Sequence, residues 1–188
     1  MEGFYEGRGM RFFDPRDYAR LRKYAPEALA GPVSALRALA ERTPGRTAWS
    51  PKPGHSLLVL LLFPQAGITR ETRELLWRVF EVPLYAQILS PGRNLLAWEC
   101  QAREGYHIAE ENAIFELVPG PTEPELVVTS LVDLREPVLR LATGLTARIE
   151  LSRCGCGLRT PRLVDLRSAN QAAPRAKAMA ASVSCAAD

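Results

Sequence analysis

The chain reads as an α/β protein, a βαβ unit followed by a mixed or antiparallel region of small strands, and three observations carry that reading. Ser56 to Phe63 is a near-continuous apolar run of strand length, of the kind a strand covered on both faces shows. Behind it, Arg70 to Phe80 sets Thr72, Leu75, Leu76, Val79 and Phe80 at helical spacing. After Gly92 the pattern changes to short segments separated by turn residues, with period-two alternation plain at Ala147, Ile149 and Leu151 against Arg148 and Glu150.

In order, residues 1 to 17 are irregular, punctuated by glycine and by Asp14-Pro15. Asp17 to Tyr24 is a short helix. Pro32 to Arg42 is a longer one, with Leu36, Leu39 and Ala40 on one face and a stop at Thr43-Pro44-Gly45. The strand at Ser56 follows a Pro/Gly loop, and Thr69 is placed to cap the helix that begins at Arg70. Val82 to Leu89 completes the βαβ unit. Six further strands are expected at about residues 95–98, 106–108, 113–118, 126–130, 138–142 and 146–151, with Pro119-Gly120-Pro121 as a turn. Residues 168–188 are Ala/Ser-rich and are expected to be a disordered tail, leaving 18–167 as the folded domain.

At 188 residues the chain is long enough to bury a core. Its net charge of +3 is small, and no Arg/Lys cluster with interleaved aromatics stands out, so nucleic acid is not an expected partner. The longest apolar run is too short to cross a bilayer, and the mixed-charge N-terminus has no secretory pattern. A cytoplasmic home is expected. Four cysteines in that setting favour reduced thiols over disulfides.

Cys100 and His107 stand as Cys-x6-His, and Cys154 and Cys156 as Cys-x-Cys beside glycines. Three thiolates and one imidazole are the donor set of a closed, tetrahedral structural zinc site. The long separation between the pairs departs from finger and ribbon spacings, and a disulfide is the competing use of these thiols. A bridge within Cys-Gly-Cys would be strained. His55, in a Pro/Gly loop, and Cys185, in the tail, are expected to stay outside the site. Glu110-Glu111 reads as a solvated turn, and Ser90 and Ser130 have no local histidine partner.

Consecutive segments resemble the phenylacetate–CoA ligase-like branch of the adenylate-forming superfamily. They are Tyr24 to Ala40, Gly67 to Tyr85, Glu99-Cys100 to His107, Phe115-Glu116, Leu126 to Leu131, Arg140 to Gly144 and Cys154 to Leu163. The resemblance implies a partial N-domain of such an enzyme, with zinc associated with the Cys-x-Cys-Gly-x-x-x-Pro-Arg element. It also makes Tyr85, Arg140 and Thr143 remnants of a nucleotide site.

The departures from that pattern fall on the same site. No Gly/Ser/Thr-rich phosphate loop is present, and Leu61 to Gly67 does not substitute for one. The magnesium-supporting glutamate maps to Leu89, and the ribose-binding aspartate to Leu145. A counterpart of the mobile C-terminal domain with its lysine is not expected within these residues. ATP and AMP are therefore not expected as ligands of the isolated chain. The reading that follows is a truncated, catalytically degenerate relative of aryl-CoA ligases. It is expected to act as a zinc-stabilised binding or partner module, with a carboxylate ligand, a protein partner or self-association through exposed apolar surface. The alternative is a ligase subunit that works when another chain supplies the phosphate loop and C-terminal domain. A purely structural zinc protein is the third reading.

Overall fold

The parallel part of the sheet begins one strand earlier than the sequence suggests. A computed structural model of the chain describes residues 11–14, 16–43, 49–65, 67–120, 123–134 and 137–169. Helix α1 (Tyr18–Tyr24) is followed by strand β1 (Ala28–Pro32), helix α2 (Val33–Glu41), β2 (Ser56–Leu62), α3 (Arg70–Phe80) and β3 (Leu84–Leu89). β1 pairs in parallel with β2, and β2 with β3, so two successive βαβ units stand where one was expected. Ala28-Leu-Ala-Gly-Pro32 hides its strand because alanine, glycine and proline are poor strand formers in isolation. Its edge position tolerates them.

Both crossovers step in the same direction across the sheet, which places α2 and α3 side by side on one face. Thr69 caps α3 as expected, its hydroxyl accepting from the Thr72 N–H at 3.3 Å. Under the helices lie Leu57, Val59 and Leu61 of β2 and Leu84, Ala86 and Ile88 of β3, all buried. The opposite faces differ from the expectation of two-sided cover. Leu58 and Leu60 are only half-buried, and Leu62 is 44% exposed. The apolar run therefore has one covered face and one open face.

The sheet continues antiparallel through β4 (Leu95–Glu99), β5 (Tyr106–Ile108), β10 (Arg162–Ser168) and β9 (Leu145–Glu150), giving seven strands in the order β1-β2-β3-β4-β5-β10-β9. β6 (Ala113–Val118), β7 (Glu125–Ser130) and β8 (Leu141–Ala142) form a second, three-stranded antiparallel sheet. One buried cluster joins the two sheets, and Phe63 meets Phe115 edge-on at 6.3 Å between ring centroids. The strand expected over 138–142 shortens to Leu141–Ala142, because Arg140 takes a left-handed φ of 45°. β10 was not anticipated. A bulge at Asp165, with φ 55°, breaks its alternation, and charged residues are spread through it. Among the described residues no helix is long and apolar enough to cross a membrane. The expected tail beyond Ala169, with Cys185, lies outside the described residues.

Candidate metal centre

Cross-strand register puts one row of residues on the open face: Gln87 on β3, Trp98 on β4, His107 on β5, Arg162 on β10 and Glu150 on β9. Two loops close over this row. The first leaves β4 at Cys100, turns with the Arg103 N–H donating to the Cys100 carbonyl at 3.1 Å, and enters β5 through Gly105. The second is the knuckle between β9 and β10. There the Cys154 N–H donates to the Leu158 carbonyl at 3.0 Å and the Gly157 N–H to the Cys154 carbonyl at 2.8 Å. Gly157, at φ +94°, supplies a conformation that side chains resist.

Together these elements gather Cys100, His107, Cys154 and Cys156, whose ligand atoms all lie within 4.8 Å of one another. Sγ of Cys100 lies 3.6 Å from Sγ of Cys154, and Sγ of Cys156 lies 3.4 Å from Nε2 of His107. A disulfide holds its sulfurs about 2.05 Å apart, and these three cysteines are free. Two thiolates on a shared tetrahedral zinc stand about 3.8 Å apart, and a thiolate and an imidazole nitrogen about 3.6 Å apart, from bond lengths of roughly 2.3 and 2.05 Å. These two separations are close to those edges, and all four atoms lie within 4.8 Å of one another. The group of four can hold a metal ion.

His107 is fully buried and stacked on Trp98, with centroids 5.6 Å apart. Its Nδ1 is 2.7 Å from Oγ1 of Thr160, which leaves Nε2 directed at the sulfurs. Burial, aided by the Arg162 charge, lowers the imidazole pKa and favours the neutral ring that a metal needs. Burial pushes the Cys154 thiol up to about 11, whereas the Leu158 backbone N–H holds Cys156 below its ordinary value. Without metal, then, Cys154 keeps its proton at neutral pH, and binding an ion displaces it. Sequence reading singled out the four residues that gather here, and Arg162 only as the last residue of the Cys-x-Cys-Gly-x-x-x-Pro-Arg element, but not their neighbours Thr160, Glu104 and Trp98. The only hint was their closeness in sequence to the ligands.

A pH dependence follows. In the folded metal-free chain His107 takes up its proton at lower pH than in the unfolded chain, which does so near pH 6.5, because burial disfavours the imidazolium. The unfolded state then binds more protons, so stability falls as pH drops below that value. Chelator-treated protein is expected to lose Tm between pH 7 and 5.5, and His107→Gln to flatten that slope. An equal slope in the variant would contradict the assignment.

The remaining expected residues fall elsewhere. His55 is exposed, with Nδ1 3.0 Å from the Ser56 hydroxyl. Glu110 and Glu111 are exposed on a turn. Ser90 is fully buried, and its Oγ accepts from the Asn94 N–H at 3.1 Å. Tyr85 lies on β3 of the large sheet, while Arg140 and Thr143 flank β8 of the small one. Among the described residues no hydrogen bond or ion pair joins Tyr85 to either. Two surface hollows lie along the helices, one lined by Glu74, Trp77, Arg78 and Glu81, the other including Pro32, Arg37 and Gln65.

No family model matches the chain, and no curated protein does. Solved structures do. A crystal structure of 2-hydroxyisobutyryl-CoA ligase in the postadenylation state with R3-HIB-AMP superposes with a TM-score of 0.62 at 20% identity, covering 79% of this chain and 34% of that one. The same ligase with 2-HIB-AMP and CoA in the thioesterification state gives 0.61 at 18% identity, with 79% and 33% covered. The chain thus spans about a third of the length of the ligase it matches. Identities this low speak to architecture alone. In fold, the chain corresponds to about a third of these 2-hydroxyisobutyryl-CoA ligase structures.

Proposed function

We propose that this chain is a divergent relative of the phenylacetate–CoA ligase-like branch, a zinc-stapled binding or partner module with no adenylation activity of its own. One observation carries the reading. Where the resemblance calls for a magnesium-supporting glutamate and a ribose-binding aspartate, the folded chain has Leu89 at the end of β3 and Leu145, 4% exposed, at the start of β9. In α/β sheets ligands collect at the carboxyl ends of the parallel strands. Here those ends carry the adjacent pair Leu62 and Leu89, which neither accept a ribose hydrogen bond nor bind a hard cation.

The other nucleotide-site remnants are engaged locally. The Thr143 hydroxyl donates to the Leu126 carbonyl at 2.6 Å and accepts from the Leu145 N–H at 3.0 Å. The Arg140 guanidinium pairs with Glu116 at 2.9 Å. Zinc is the metal that three soft thiolates and one imidazole suit, and four protein ligands leave no open position for catalysis. A partner surface is supported by Leu131, Leu134 and Leu139, which are 45, 86 and 76% exposed in the connection between β7 and β8. The ligase structures hold carboxylate–AMP and CoA ligands. For this chain a carboxylate or protein ligand is proposed in their place.

Acid-dependent ATP–pyrophosphate exchange by the purified chain, assayed against aryl and alkyl carboxylates, is expected to stay at background. Thermal-shift measurements with ATP·Mg and AMP are expected to show no stabilisation. Leu145→Asp is not expected to restore exchange, because the phosphates remain unheld, and it places a carboxylate in a site 4% exposed. Exchange above background in the wild-type chain would overturn the reading in favour of a working ligase.

A further inference from the structure

Arg162 is 4% exposed and stands directly across from His107 in the β5–β10 register. Its guanidinium reaches both loops that bear the ligands. Nη1 donates to the Glu104 carbonyl at 3.1 Å and to the Glu104 carboxylate at 2.9 Å. Nη2 donates to the carbonyl and the hydroxyl of Ser152 at 3.3 and 3.2 Å. Glu104 belongs to the Cys100 loop and Ser152 to the start of the knuckle. The Glu104 carboxylate closes the circuit by accepting from the N–H of Gly155, the residue between Cys154 and Cys156, at 3.0 Å.

A purely structural role suits this group poorly. Buried ion pairs are often replaceable by apolar residues at little or no loss of stability. The Glu104 partner is half exposed, and Arg162 Nε is buried without an acceptor among the described residues. A divalent ion with three thiolates and a neutral imidazole carries one net negative charge, and a buried cation beside it is stabilised in turn. A guanidinium also offers a rigid fork, which a lysine lacks.

We propose that Arg162 is a positioning residue of the metal centre. It clamps the Cys100 loop and the Cys154 knuckle to each other and offsets the charge of the metal–thiolate group. This rests on the metal reading given above.

Cobalt(II) is the probe, because its visible bands report tetrahedral thiolate coordination, with zinc competition giving affinity. Wild-type chain is expected to take up one cobalt with such bands. Arg162→Met is expected to weaken metal binding about 10–100-fold, the usual effect of losing a support around a metal ligand. Arg162→Lys, which keeps the charge, is expected to recover part of the affinity while its bands stay altered. Arg159→Met removes an exposed charge from the same knuckle and is expected to change neither. If Arg162→Met does not fold, Glu104→Ala decides, with weakened binding expected because the bonds to Arg162 and Gly155 go together. Wild-type affinity and bands in the foldable variants would overturn the role of Arg162 and leave the metal site standing. A wild-type chain that takes up no cobalt or zinc would overturn both.

Discussion

Cys156→Ser is expected to release the metal and lower the stability of the chain in the same step, and Cys154→Ser to do likewise. The four ligand atoms come together only in the folded state, since Cys100 and Cys154 are 54 residues apart and meet through the pairing of β5 with β10. Metal affinity therefore appears as folding free energy. At free metal a thousandfold above its dissociation constant, the linked stabilisation is about 4 kcal/mol. Serine removes a soft ligand, and it leaves two sulfurs and an imidazole that hold zinc far more weakly. Metal content and Tm should fall together, to values close to those of chelator-treated wild type. His55→Ala and Cys185→Ser, the latter outside the described residues, should alter neither quantity. Wild-type protein that is equally stable with and without a strong chelator would remove the zinc from the account of this fold.

Gly105→Ala should be nearly as damaging, although it removes no ligand. Gly105 sits two residues before His107 with φ +111°, a backbone region that side chains enter at a cost of about 1–3 kcal/mol. A Cβ there would lie 2.5 Å from the Leu163 carbonyl oxygen and 2.8 Å from Val164 Cγ1. Both belong to β10, and a backbone oxygen does not rotate away as a side-chain tip does. Relief would require β5 and β10 to separate, with overpacking adding about 1–3 kcal/mol more. The expected outcome of a urea titration is a loss of about 2–6 kcal/mol from these two terms. Metal content should fall with it, because His107 and the knuckle are held on the two strands being pushed apart. A variant with wild-type stability and full metal content would show that the approach of β5 to β10 is looser than these distances state.

Several elements were legible in the chain itself. The α3 boundaries, Arg70 to Phe80, follow from apolar spacing and a threonine cap, both local properties. β5 and β6 agree with the sequence reading over 106–108 and 113–118. The ligand set was legible as residue types, since thiolate and imidazole have a chemistry independent of fold. β1 and β10 were not legible. A strand of alanine, glycine and proline, and one broken by a bulge at Asp165, acquire their identity from neighbours that complete their hydrogen bonds.

The second of the two βαβ units, the change to short strands after Gly92, the four candidate ligands, and leucine at positions 89 and 145 were all present in the sequence. Tertiary structure alone decided three things. It left the face of β2 and β3 opposite the helices open, because two crossovers in one direction stack α2 and α3 on the same side. It put His107, fully buried beneath the two loops, on the side of the sheet away from the helices, through the register that pairs it with Trp98 and Arg162. It closed the knuckle over His107, through the bonds Glu104 makes to Gly155 and Arg162, which no spacing in the sequence gives. The physical reason is common to all three. Helical periodicity and donor chemistry are written within a few residues, whereas strand pairing, sheet face and buried charge compensation depend on groups brought together across the chain.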